Sequence, residues 1–234
     1  MSIPQMIVAL DVSSAREAEA VVERIGDPIP FYKVGLELFV ADGPATLAML
    51  RRRNKRIFLD LKIHDIPRTV ERAVQSAARF GAELLTIHAS GGKAMIAAAA
   101  QAAMRADANL KILAVTVLTS LDENDLADIG ILQTSAAQVE TLARLAIDAG
   151  AHGLVCSPQE VGKVRQMLGD TPYLVTPGIR PAGGDLGDQK RVATPAQATR
   201  DGASALVIGR PILEAPDPHA AALDIANQLH IEGK

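Results

Sequence analysis

A single cysteine, Cys156, leaves this chain no intramolecular disulfide and suits a reducing compartment. It follows the apolar run Gly153-Leu154-Val155, where a small buried thiol is commonplace. Neither sign of charge is in excess: 24 basic against 27 acidic residues give a formal net charge of -3. Their mixing along the chain offers no footprint for nucleic acid or an anionic membrane, so the expected partner is a small molecule. No apolar run approaches the roughly 20 residues of a membrane-spanning helix. The alanine-rich stretch from Ala94 to Met104 is too short and contains Gln101. The first residues, Met1 to Met6, lack a basic region, and the apolar run after them stops at Asp11, too early for a secretory leader. A cytoplasmic protein is expected. Also missing is a Gly-rich dinucleotide fingerprint after the first strand, where Leu10-Asp11-Val12-Ser13-Ser14 stands instead.

What is present is enough apolar sequence for a core: 48% hydrophobic and 22% charged residues, ordinary for a globular protein. Short β-rich runs recur, separated by alanine-rich amphipathic stretches. They are Ile7–Leu10, Phe31–Val34, Ile57–Leu59, Leu84–Ile87, Ile112–Val115, Gly153–Val155, Tyr173–Val175 and Ala205–Ile208. Eight βα units at about 25-residue spacing predict an α/β fold, a compact (β/α)8 TIM barrel forming one domain over residues 1–234. Ser13 or Ser14 is placed to cap the first helix, Ser90 precedes the fourth, and Ser157-Pro158 is expected to open the sixth. The long irregular stretch from Thr176 to Arg191, rich in Gly and Pro, reads as a lid or binding loop.

Barrels of this kind carry reactive groups at the carboxyl ends of their strands. Here Asp11 ends the first strand, Lys33 interrupts the second, Asp60 and Lys62 close the third, His88 the fourth, and Thr119 follows the fifth. Arg180 and Gln189 lie in the loop after the seventh, and Gly209-Arg210 after the eighth. Residues two apart in a strand share a face, so Asp60 and Lys62 point the same way as Phe58. Uncompensated burial of one ion costs several kcal/mol, so this alternation is a poor structural choice and reads as a reaction centre. Asp11 has a competing reading as a helix cap, and His64 and His88 as structural histidines. Gly209-Arg210 reads as a phosphate cradle, since loops after strands seven and eight commonly hold phosphate.

The segment Asp60-Leu61-Lys62-Ile63-His64-Asp65-Ile66-Pro67-Arg68-Thr69 resembles the signature of the orotidine 5'-phosphate decarboxylase family. Ala9-Leu10-Asp11, Lys33-Val34-Gly35, Thr176 to Arg180 and Ile208-Gly209-Arg210 follow in the family's order across nearly the whole chain. The resemblance implies a cofactor-free, metal-free carboxy-lyase of pyrimidine biosynthesis that converts orotidine monophosphate to uridine monophosphate and carbon dioxide. It implies a homodimer in which Lys33, Asp60 and Lys62 form a charge network completed by Asp65 of the other subunit, with Lys62 as proton donor. It further implies that Asp11, Lys33 and Thr69 contact the ribose region, with Asp60 also among the substrate-binding residues. Thr119 and Gln189 would meet the pyrimidine or phosphate side, and Arg180, Gly209 and Arg210 the phosphate. Arg68 receives no role.

The residues themselves weigh three alternatives. A metal-dependent sugar-phosphate enzyme working through an enediolate would want a carboxylate, not Lys33, at the end of strand two. A Schiff-base aldolase needs a neutral lysine, and the aspartates flanking Lys62 favour the ammonium. A catalytically idle phosphate-binding barrel has no reason to hold opposed buried charges.

Overall fold

In the computed structural model, which describes residues 3–106, 109–180 and 192–232, eight parallel strands close in sequence order into a barrel. The strands are β1 (Gln5–Leu10), β2 (Phe31–Gly35), β3 (Arg56–Ile63), β4 (Ala82–His88), β5 (Lys111–Val115), β6 (Gly153–Val155), β7 (Tyr173–Thr176) and β8 (Ala205–Ile208). All eight runs expected from the sequence are strands, and β3 extends past its apolar part to take in Asp60 and Lys62.

Period-two alternation sorts the side chains into two layers. Ile7, Phe31, Phe58, Leu84, Leu113, Val175, Ala205 and Val207 fill the barrel interior. Their strand neighbours, among them Val8, Leu10, Val34, Leu59, Leu85, Ile87 and Leu154, face outward under the helices. At the amino-terminal end the Arg56 guanidinium lies 4.2 Å over the Phe31 ring and donates to both carboxylate oxygens of Glu83. That end is therefore packed. The carboxyl end is where the interior opens.

Helix signals hold in part. α1 (Ala15–Ile25) is capped by Ser14, whose hydroxyl accepts the Glu17 amide, and Asp11 is left out of the cap. α2 (Leu36–Arg52) breaks its helical backbone at Asp42, just before Pro44, and α3 (Pro67–Arg79) starts on its proline. Ser90 lies in a single 3-10 turn before α4 (Gly92–Ala106). The loop after β5 carries a helix the sequence reading did not foresee, α5 (Glu123–Asp128), closed by an Asp122/Asp125 capping box, and α6 (Ser135–Asp148) follows. Ser157-Pro158 does not open the helix after β6. α7 (Val161–Leu168) begins three residues later, because Glu160 folds back to accept the Ser157 amide and the intervening residues form turns. α8 (Pro195–Arg200) precedes β8. After it come α9 (Arg210–Leu213), a single turn, and α10 (Pro218–Glu232). Among the described residues no helix is long and apolar enough to cross a membrane.

Candidate active site

At the carboxyl end of the barrel a cavity of about 600 Å³ is floored by Ala9, Phe58, Val155, Val175 and Val207. Its polar wall comes from β1 to β3. Its opposite side comes from the loops after β5, β7 and β8, which place Thr119, Arg180, Gly209 and Arg210 at the cavity. Two strand registers set the polar wall: Ala9 lies opposite Lys33, and Lys33 opposite Phe58. Lys33 therefore projects into the interior one layer above Phe31, and Asp60 one layer above Phe58.

The charges alternate in space. Lys33 Nζ donates to Asp11 Oδ1 at 2.9 Å and lies 3.9 Å from Asp60 Oδ2. Lys62 Nζ donates to the same Asp60 oxygen at 2.8 Å. The side chains of Lys33 and Asp60 are only 11% and 13% exposed, whereas Asp11 and Lys62 open toward solvent. The two inner charges are thus nearly dry and each is paired, which is what makes their burial tolerable. The competing reading of Asp11 as a cap is not what the structure shows: Asp11 is an ion-pair partner of Lys33.

Two glycines leave room for this cluster. A Cβ on Gly35 would stand 3.0 Å from Lys33 Nζ, and one on Gly209 would stand 3.1 Å from Asp11 Oδ2. The Lys33-Val34-Gly35 motif is then a lysine followed by the space its ammonium occupies.

Lys62 has an uncommon backbone. Its φ is +49°, left-handed, a conformation costing a non-glycine residue about 1–2 kcal/mol. A bulge accompanies it. Leu59 pairs with Leu85 and Ile63 with Ile87, four steps along β3 against two along β4. Within the bulge the Lys62 amide donates to the Thr86 hydroxyl at 2.8 Å, and that hydroxyl donates to Asp60 Oδ1 at 2.9 Å. Thr86 is fully buried, and the sequence reading passed it over as an ordinary strand former. The period-two face it shares with Leu84, next to the charged end of β3, was the available signal.

Asp65 and Thr69 are not brought into this cavity. Both are exposed on the segment after β3, where Asp65 Oδ1 accepts the Ile66 amide at 2.6 Å. Arg180 is buried and its loop is tied by a bridge between Ile179 and Ala193. Gln189 lies outside the described residues. His64 and His88 stand aside from the cavity with ring centroids 5.6 Å apart. Burial, then His64 and Lys62, hold the His88 pKa below its ordinary value, against the opposing pull of Asp60. Cys156 is buried, and burial pushes its thiol up to about 12.

The sequence profile of the orotidine 5'-phosphate decarboxylase / HUMPS family matches residues 4–225. The chain belongs to this family. An Anaeromyxobacter sp. (strain K) protein named orotidine 5'-phosphate decarboxylase is 51% identical over 225 residues, covering 96% of this chain and 98% of its own length. One of the same name from Moorella thermoacetica is 49% identical over 233 residues, covering 97% and 92%. The crystal structure of orotidine 5'-phosphate decarboxylase from Lactobacillus acidophilus superposes with a TM-score of 0.87 at 39% identity, covering 97% of this chain and 99% of that one. The barrel of that structure is shared by this chain.

Proposed function

We propose that this chain decarboxylates orotidine 5'-phosphate to uridine 5'-phosphate in the cytoplasm, without a cofactor, at the carboxyl end of its barrel. The observation that carries the reading is the row Asp11–Lys33–Asp60–Lys62, held at 2.9, 3.9 and 2.8 Å across a cavity that also receives Arg180 and Arg210.

The reaction breaks the bond between the pyrimidine ring carbon and its carboxylate. The electron pair stays on the ring carbon, carbon dioxide leaves, and a proton must arrive at that carbon. Many enzymes spread such a pair into a cofactor sink. Fixed charge does the equivalent work here: an ammonium beside the carbon stabilises the developing negative charge and then delivers the proton. Lys62 is the donor, since it is the more open of the two lysine side chains and its Nζ is held by Asp60 at 2.8 Å. It is left as a neutral amine and takes a proton back from solvent. Asp60 stands beside the departing carboxylate and disfavours the ground state. Arg180 and Arg210, with the Gly209 backbone, hold the phosphate, Thr119 and Gln189 the pyrimidine or phosphate side, and Asp11 and Lys33 the ribose.

Asp65 and Thr69 complete the site of a second copy. Their exposure off this chain's own cavity supports that, as do the exposed Ile66 beside them and Leu36 and Val40 after β2, at the same end of the barrel. A surface carrying three such apolar side chains is suited to being covered.

A metal-assisted sugar-phosphate reaction is disfavoured by the position of Lys33. Its ammonium stands between the carboxylates of Asp11 and Asp60, where a cation would have to bind. The deciding experiment is loss of orotidine monophosphate absorbance on mixing with chelator-treated protein and with Lys62→Ala. Rapid turnover abolished in the variant is expected. A folded wild-type protein that does not turn the substrate over would refute the proposal.

A further inference from the structure

We infer that Thr86 is a positioning residue for the proton donor: its hydroxyl holds Lys62 in the left-handed conformation that aims the ammonium, and orients the Asp60 carboxylate that receives it. This rests on the decarboxylase reading for its consequence, but not for its geometry.

The argument starts from the ladder. In a regular parallel pair the Lys62 amide would donate to a β4 carbonyl. The bulge in β3 takes that partner away, and a buried amide without one is costly. Thr86 replaces the carbonyl with a side chain: the Lys62 amide reaches Thr86 Oγ1 at 2.8 Å. A hydroxyl has one hydrogen, and with the amide already donating to it, that hydrogen is directed to Asp60 Oδ1, 2.9 Å away. Asp60 then uses its other oxygen to accept Lys62 Nζ at 2.8 Å.

The contacts close a ring. It runs from the Lys62 amide through the Thr86 hydroxyl and both oxygens of Asp60 to the ammonium of Lys62 itself. Backbone and side-chain ends of the same lysine are thereby fixed to one carboxylate, and the one member of the ring that carries no charge is Thr86. Threonine suits the place twice over. Its β-branch fixes χ1 in a strand, so the hydroxyl does not wander, and it is an acceptor and a donor at once. Valine would fill the same volume without doing either. Among the described residues no other side chain bonds the Lys62 amide or Asp60 Oδ1.

The test compares Thr86→Val with Thr86→Ser by crystal structure and by steady-state kinetics on orotidine monophosphate, with a thermal melt to show that each is folded. In Thr86→Val, Lys62 is expected to leave the left-handed region or its ammonium to leave Asp60. Turnover should fall about 10- to 100-fold, the scale of a misplaced catalytic group, while KM changes less than about threefold. Thr86→Ser should keep the φ of Lys62 and recover most of the turnover. The inference is overturned if Thr86→Val retains the Lys62 conformation and its contact with Asp60. It is equally overturned if an active wild type loses as much in Ser as in Val, or loses only in KM. An inactive wild type would sink the decarboxylase reading alone, and the Lys62 backbone in Thr86→Val would still decide this one.

Discussion

Gly35→Ala separates the position of a catalytic charge from its presence. Gly35 precedes α2 with φ -87° and ψ 178°, extended backbone that alanine adopts without strain. The added methyl group has one close neighbour, the ammonium of Lys33 at 3.0 Å, with Asp11 Oδ1 next at 3.8 Å. Ordinary contact needs about 3.4 Å or more, so the ammonium must give way by a few tenths of an ångström or more. It is already fixed by Asp11 on one side and Asp60 on the other. Stability should barely change: removing a glycine contributes about 0.4–1 kcal/mol through the unfolded chain, and the displaced ion pair offsets it, which leaves the melting temperature within about 3 °C. Catalysis should change. A displacement approaching 1 Å at a reacting centre costs up to about 100-fold, so kcat/KM should fall roughly 10- to 100-fold, or about 1.4–2.7 kcal/mol of transition-state stabilisation. The assay is the absorbance loss of orotidine monophosphate below KM, beside a thermal melt of the same preparation. A variant that melts like wild type and keeps kcat/KM within twofold would refute the claim that the location of Lys33 matters.

Arg210→Ala should reduce kcat/KM by orders of magnitude, because binding energy from a remote phosphate is used at the reacting carbon; a trivial loss in the same assay would show that Arg210 does not hold it. Lys62→Ala and Asp65→Ala should each be inactive, yet regain about a quarter of wild-type activity when refolded together, since half of randomly paired dimers then hold one intact site of two; no recovery in a mixture shown to be dimeric would count against a shared site. Asp60→Asn should lower turnover strongly while leaving the chain folded, and near-normal turnover would remove the carboxylate from the mechanism. The lowered pKa of His88 means that the unfolded chain binds a proton there before the folded one does. Its contribution is therefore present above about pH 6.5 and lost as pH falls through the lower folded value. Thermal melts between pH 7.5 and 5 should show wild type losing more stability than His88→Asn, and parallel curves would contradict this.

The barrel was legible because its strands are apolar, short and evenly spaced, and the charged row because ions in such strands stand out against their neighbours. Lys33 and Asp60 are two letters in otherwise hydrophobic words. The missed features each depend on something sequence periodicity does not carry. The bulge at Lys62 is a mismatch between two strands, and no single strand displays its register. Thr86 is a strand former by propensity and a hydrogen-bond relay only by virtue of the strand beside it. The turns that delay α7 to Val161 arise because Glu160 bonds back to Ser157, a local competition that a Ser-Pro start signal does not reveal. Asp11 reads equally well as a cap until Ser14 is seen to take that role and Lys33 to lie 2.9 Å away.

Under the proposed function, the order of charges also bears on how the site would act on a bound substrate. Asp11, Lys33, Asp60 and Lys62 come from three adjacent strands, and along that row every neighbour is of opposite sign, so the four sum to zero and none is closest to its like. A substrate carboxylate entering beside Asp60 upsets this balance by one negative charge in a place where two side chains are nearly dry, and low local dielectric enlarges the repulsion. Loss of carbon dioxide would remove that charge from beside Asp60 and move the electron pair toward Lys62, the more exposed of the two ammoniums in the row. The repulsion thus falls as the bond breaks, while the attraction to Lys62 rises. Interactions that change in this direction lower the barrier, whereas uniform binding of substrate and transition state does not. Under the proposed function, a phosphate held by Arg180 and Arg210 across the cavity would supply the binding energy that makes such a ground state reachable.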